Sequence, residues 1–172
     1  MSDLAESADG KTFELLMTID MGVDAFASSW ASCDRLSGYI SRMISHNRTD
    51  SLLYSNIFSS ALNELLETAF RRHRPGGQFI CSVSRLQKRD RIELTIPCDV
   101  EDREFYQAAI DRLSRPDAAD QYRSALFADG PIDPDFGLFE LALDYNAVLS
   151  VTAAGDGSVR LVADLALEGS QL

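Results

Sequence analysis

The chain has 172 residues, 45% of them hydrophobic, and 16 basic against 27 acidic side chains. That length and hydrophobic content suit one domain, residues 1–172, with a sizeable core, and exclude wholesale disorder. The net charge of -11 argues against nucleic acid or an anionic membrane surface as partner.

No apolar run reaches the roughly 18 residues of a membrane span. The start, MSDLAESADGK, lacks the basic-then-apolar pattern of a signal peptide, so a cytoplasmic protein is expected. Residues 1–10 read as a polar, disordered tail. Thr12–Asp20 alternates, with Phe13, Leu15, Met17 and Ile19 on one face, which predicts a half-buried strand. Phe26, Trp30, Cys33, Leu36, Ile40 and Met43 then repeat at helical spacing and predict one helix through Ile44, with Trp30 in the core. Tyr39 and Met43 on that helix are also residue types that suit a docking face.

Asp50–His73 is the longest periodic stretch. Leu53, Ile57, Phe58, Ala61, Leu62, Leu65, Leu66, Ala69 and Phe70 form a wide apolar stripe, and the helix would run roughly 35 Å. Thr49 or Asp50 can cap its start, and Pro75-Gly76-Gly77 ends it. Glu64, Thr68 and Arg71 are spaced by four and three residues along one edge beside that stripe. A carboxylate, a hydroxyl and a guanidinium in a row suit a phosphate–metal group, and equally a solvated helix edge. His46 and His73 stand at helix ends, where they complement the helix dipole.

Gln78–Leu86 and Arg91–Cys98 alternate as paired strands joined by the charged link Gln87–Asp90. With Arg89-Asp90 as the loop, Cys81 would lie opposite Cys98. The three cysteines, Cys33, Cys81 and Cys98, have neither the spacing nor the histidines of a zinc site and read as reduced core thiols. EDREFYQAAIDRLSR and AADQYRSALFADG predict two helices separated by Pro116, Asp129–Phe136 a turn-rich link, and GLFELALDYN a further helix. Ala147–Thr152 and Ser158–Ala166 flank a Gly155-Asp156-Gly157 hairpin.

LNELLETAFRRH resembles the N-box of the GHKL ATPase and kinase superfamily. Glu64 falls on the first polar position, Ala69 on the alanine and Arg71 on the basic residue. Thr68 falls where the family carries the asparagine that holds magnesium. A Glu at the first position resembles the anti-sigma-factor and switch-protein serine kinases of bacteria. The second family motif, DxGxG, is represented by Asp99 alone, and the last, GxG, by Gly137, with Asp135 in place of its first glycine. Glycines let backbone approach a ligand closely, so their loss works against a nucleotide. Asp135 would add repulsion toward a triphosphate.

The resemblance implies a two-layer α/β sandwich. Helices would cover one face of a mixed, mostly antiparallel sheet, with a helical insertion in place of the flexible ATP lid. It implies a bacterial signalling regulator with a degenerate nucleotide site. Its partner would be a sigma factor, a STAS-domain antagonist or a response regulator, or it would pair as a homodimer. No cofactor is expected in that reading. The alternative is an active serine/threonine kinase using Mg-ATP. In it Glu64 is the base or metal-organising carboxylate, Thr68 a magnesium ligand, Arg71 a phosphate contact, Asp99 the adenine reader and Gly137 a phosphate amide. A plain oligomerisation domain is a third possibility.

Overall fold

The computed structural model describes residues 11–155 and 157–167, so the expected tail at 1–10 lies outside the described residues. Strand β1 is Glu14–Gly22, followed by a short helix α1, Val23–Phe26, and helices α2, Ala31–Ile44, and α3, Ser51–Arg71. Strands β2, Gln78–Leu86, and β3, Arg89–Pro97, precede helices α4, Val100–Leu113, α5, Ala118–Leu126, and α6, Phe136–Leu143. Strands β4, Val148–Ala153, and β5, Ser158–Leu165, close the described chain.

The five strands lie in the order β1-β2-β3-β5-β4, and each neighbouring pair is antiparallel. The parallel component of the expected mixed sheet is therefore not found among the described residues. One face of the sheet is apolar row by row. Ile19 pairs with Cys81, Cys81 with Leu94, Leu94 with Leu161 and Leu161 with Val151, all on the covered side. The opposite face carries polar pairs such as Thr18–Ser82, joined at 3.1 Å, and Arg91–Asp164, joined at 2.7 and 2.8 Å. This is the alternation of a sheet covered on one side only.

Helix α3 supplies most of the cover, with Phe58, Leu62, Leu65 and Leu66 fully buried against the sheet. Helix α2 packs beside it, and α6 packs between α3 and α4, with α4 lying over β4. Asp50 is the N-cap of α3 and its side chain accepts from Leu53 N–H, as the sequence implied. At the other end His73 Nδ1 lies 2.6 Å from the Phe70 carbonyl and caps it. Tyr106 and Ala109 of α4 reach the main core. Helix α5 instead joins a separate small cluster of Ala118, Tyr122 and Phe139.

Several boundaries differ from the sequence expectation. The helix expected from Phe26 to Ile44 is interrupted at residues 27–30. There the Ser28 hydroxyl donates to Ala25 O at 2.8 Å and the Ser29 hydroxyl accepts Ala31 N–H at 3.3 Å, so serine side chains divert the backbone from helix. Trp30 is consequently at the start of α2 and 42% exposed, not core. Its ring meets Phe70 edge-on at 5.0 Å, with the Arg71 guanidinium 4.8 Å from its centre.

Leu53 is also exposed; Tyr54 takes the inward position because its hydroxyl reaches Asp90. The β2–β3 turn is Gln87-Lys88, with Gln87 at φ 57°, and not Arg89-Asp90. That register pairs Cys81 with Leu94. Cys98 lies beyond β3, where its N–H donates to Gly157 O at 2.9 Å and its thiol to Arg72 O at 3.5 Å. In β1, register slips between Leu15 and Met17, a bulge that leaves Leu15 62% exposed.

Candidate functional site

The last turns of α3, the link before α6 and the first turns of α6 enclose a cleft of about 390 Å³. Its walls include Glu64, Glu67, Arg71, Asp133, Gly137 and Glu140. Four of the five residues singled out in the sequence thus meet here: Glu64, Arg71 and Gly137 line the cleft, and Thr68 lies directly behind them.

Gly137 fixes the geometry. A Cβ there would stand 2.9 Å from Thr68 Oγ1, closer than side chains tolerate, and 3.2 Å from Glu64 Oε2, a tight contact. The glycine therefore serves the close crossing of α6 over α3. Thr68 is fully buried, and its hydroxyl donates to the Glu64 carbonyl at 2.9 Å. Its donor is spent inside the helix, and α6 covers the oxygen.

The cleft is rich in carboxylates. Burial pushes the Glu64 carboxyl up to about 7, the neighbouring Glu140 and Glu67 charges push in the same direction, and Arg71 opposes them. Glu140 is also raised, by burial first and then by Asp144 and Glu67. Arg71 is the basic side chain in the wall; it sits 3.5 Å from Glu67 and over the Trp30 ring. A carboxyl that titrates near neutrality can hold or release a proton at working pH.

Asp99 does not join this group. It is the N-cap of α4 in a reciprocal capping box with Asp102, and its carboxylate pairs with Arg74 at 2.5 Å. The Asp102 backbone N–H is the first cause holding its carboxyl below the usual range. It lines a different depression, with Cys98, Val100, Arg103, Gly155, Gly157 and Ser158. The segment expected to read adenine is a helix start knitted into its own ion pairs. Asp135 also departs from expectation. It is nearly buried and paired with Arg112 of α4, so its charge is matched and turned away from the cleft.

The donor set can be compared with what a magnesium nucleotide needs. Magnesium takes oxygen ligands in near-octahedral order and bridges to phosphates, while backbone amides cradle the phosphates. Here the one hydroxyl at the family's magnesium position is buried and engaged, and the α6 start is packed on α3. The walls present Glu64, Glu67, Asp133 and Glu140 against Arg71. These residues do not fit a triphosphate with its metal in this arrangement. Among the described residues no group of three or more His, Cys, Asp or Glu side chains is placed to hold a metal ion.

Sequence reading missed a second polar centre. Asp90, fully buried, accepts both Arg48 Nη2 contacts at 3.1 and 3.2 Å and Arg85 Nε at 2.7 Å, and Tyr54 donates to it through a short bond. The signal was Asp90 beside an alternating strand, which a turn assignment concealed. The partners Arg112 for Asp135 and Asp102 for Arg74 were likewise invisible, because each pair joins residues more than 20 positions apart.

No family model and no curated protein matches the sequence. A solved structure does share the fold. A chain in the crystal structure of the SiaB–SiaC complex from Pseudomonas aeruginosa superimposes with a TM-score of 0.50 at 11% identity. The match covers 88% of this chain and 90% of that one. No described helix is long and apolar enough to cross a membrane.

Proposed function

We propose that the chain is a single-domain, cytoplasmic signalling regulator that works by binding a protein partner, of the anti-sigma-factor and switch-protein type, with a degenerate GHKL nucleotide site. The observation that carries this reading is the contact of Gly137 with Thr68 and Glu64. On the family resemblance, phosphates and magnesium would lie at these residues, so helix packing there supports a degenerate site. The carboxylate-rich walls favour the same reading by repulsion. The shared fold with a chain from a two-protein complex supports a protein partner. On the family resemblance, that partner is a sigma factor, a STAS-domain antagonist or a response regulator.

Calorimetric titration with Mg-ATP tests this. Binding weaker than about 1 mM, worth only about 4 kcal/mol, is expected. Micromolar binding by the wild type, abolished by Glu64→Ala, would overturn it.

One observation favours a second reading, the active serine/threonine kinase. Glu64, with its carboxyl raised to about 7 in an open cleft beside Arg71, has the proton affinity of a general base. Transfer of labelled phosphate from ATP to a STAS-domain protein, lost in Glu64→Gln, would establish it.

A further inference from the structure

Helix α2 has two unlike faces. Cys33, Ser37, Ile40, Ser41 and Ile44 are buried, and the serine hydroxyls at 37 and 41 donate to carbonyls three residues back. The outward face carries Arg35, Tyr39 and Arg42 at successive steps of four and three residues, and His46 follows in the turn four residues later. At about 100° per residue these four fall in one stripe. Tyr39 is 48% exposed, and Met43 beside the stripe is 55% exposed. The helix's one carboxylate, Asp34, lies about 100° round from Arg35 and outside the stripe.

Of the arginines outside α2, Arg89, Arg103, Arg115 and Arg160 are exposed and enter no ion pair among the described residues, and the rest are matched. Arg72, Arg74, Arg85, Arg91, Arg112 and Arg123 each pair with an aspartate. Arg35 and Arg42 enter no ion pair among the described residues. A chain of net charge -11 thus presents one helix face that is basic, aromatic and thioether-bearing. Arg, Tyr and Met are the side chains that interfaces concentrate.

We propose that this face of α2 docks an acidic helical segment of a protein partner. Arg35 and Arg42 are seven residues apart, about 10 Å along the axis. The matching segment carries two carboxylates at the same seven-residue spacing, with an apolar side chain between them to lie on Tyr39 and Met43. The chain as a whole carries a net charge of -11, so Arg35 and Arg42 set where an acidic segment seats as well as guiding its approach. The inference deepens the proposed regulatory reading by giving the partner's chemistry. It concerns a face other than the cleft, so a nucleotide result there leaves it standing.

The test is fluorescence anisotropy with a labelled 18-residue amphipathic helical peptide whose one face carries glutamates seven apart flanking leucine. A second peptide has glutamine at those positions. Binding of the glutamate peptide at least tenfold tighter than the glutamine peptide, weakened by raising salt from 50 to 300 mM, is expected. Arg35→Glu with Arg42→Glu should lower that affinity at least tenfold. Arg103→Glu with Arg115→Glu, an equal loss of charge at exposed positions away from α2, should leave it within twofold. Thermal melts must match, since all four residues are exposed. Absent binding, equal binding of both peptides, or equal loss in the Arg103→Glu, Arg115→Glu variant overturns the proposal. So does a doubling of mass in light scattering that the two α2 reversals abolish, because the face would then hold a second copy.

Discussion

Gly137 and Thr68 touch so closely that any side chain at 137 would collide with the threonine hydroxyl. Thr68 cannot yield easily, because its hydroxyl is held by the Glu64 carbonyl and it has no exposed surface. Gly137→Ala should therefore destabilise the protein by about 1–3 kcal/mol through overpacking. Adding Thr68→Ala should return part of that loss, since the two sites couple in contact. Urea denaturation of the single and double variants checks it; additive losses would show that the helices separate freely.

Asp90 holds Arg48, Arg85 and Tyr54 together at the end of the β2–β3 hairpin. Asp90→Asn keeps the shape and removes the charge, which strands two guanidinium groups in a buried site. A loss of about 3–5 kcal/mol is expected. Tyr54→Phe removes one hydrogen bond and should cost about 1–3 kcal/mol. Equal effects of the two variants in chemical denaturation would deny the carboxylate its organising role.

Glu64 makes stability depend on pH with a definite sign. Its folded carboxyl, raised to about 7, binds a proton more tightly than the unfolded one at its ordinary 4.5. Between those values the native state holds the extra proton, so stability falls as pH rises from about 4.5 to 7, and the full penalty is present above 7. Glu64→Gln removes this term. The variant's melting temperature should match the wild type near pH 5 and exceed it near pH 7.5. Parallel profiles would mean the carboxyl is not held by the cleft.

Cys33, Cys81 and Cys98 are all buried and unbridged, and burial is the first cause raising each thiol to about 12. Thiolate is the reactive form, so the native thiols should be nearly inert to a disulfide reagent at pH 8. After denaturation without oxidant, three groups should react. A count of one would mean two cysteines had paired, which the Cys81–Leu94 register opposes.

The elements that were legible were those whose periodicity answers to burial on one side. The α3 stripe through Leu62 and Leu65, and the alternation of Phe79, Cys81 and Val83, state the core face directly. The break before α2 was not legible, because apolar spacing runs on through Trp30 while serine side chains redirect the backbone locally. Of the candidate site, Glu64, Thr68 and Arg71 were found because helix spacing alone places them together. Gly137 was found by resemblance, and its packing role depends on how α6 crosses α3. Asp99 was misplaced because a lone aspartate before a helix serves equally as an N-cap. The partners of Asp90 and Asp135 come from distant segments, so no local pattern announces them.

The bulge between Leu15 and Met17 has a consequence for solubility. β1 is an outer strand of the sheet, and an outer strand offers its unpaired amides and carbonyls to any passing chain. A straight nine-residue edge bearing Leu15 and Leu16 would be a template for strand-by-strand aggregation. The bulge bends that edge at those two leucines, and only Met17–Gly22 keeps a regular register. In that stretch the outward-facing side chains are Thr18 and Asp20, so a strand adding there meets an exposed carboxylate, a charge that blunts the edge.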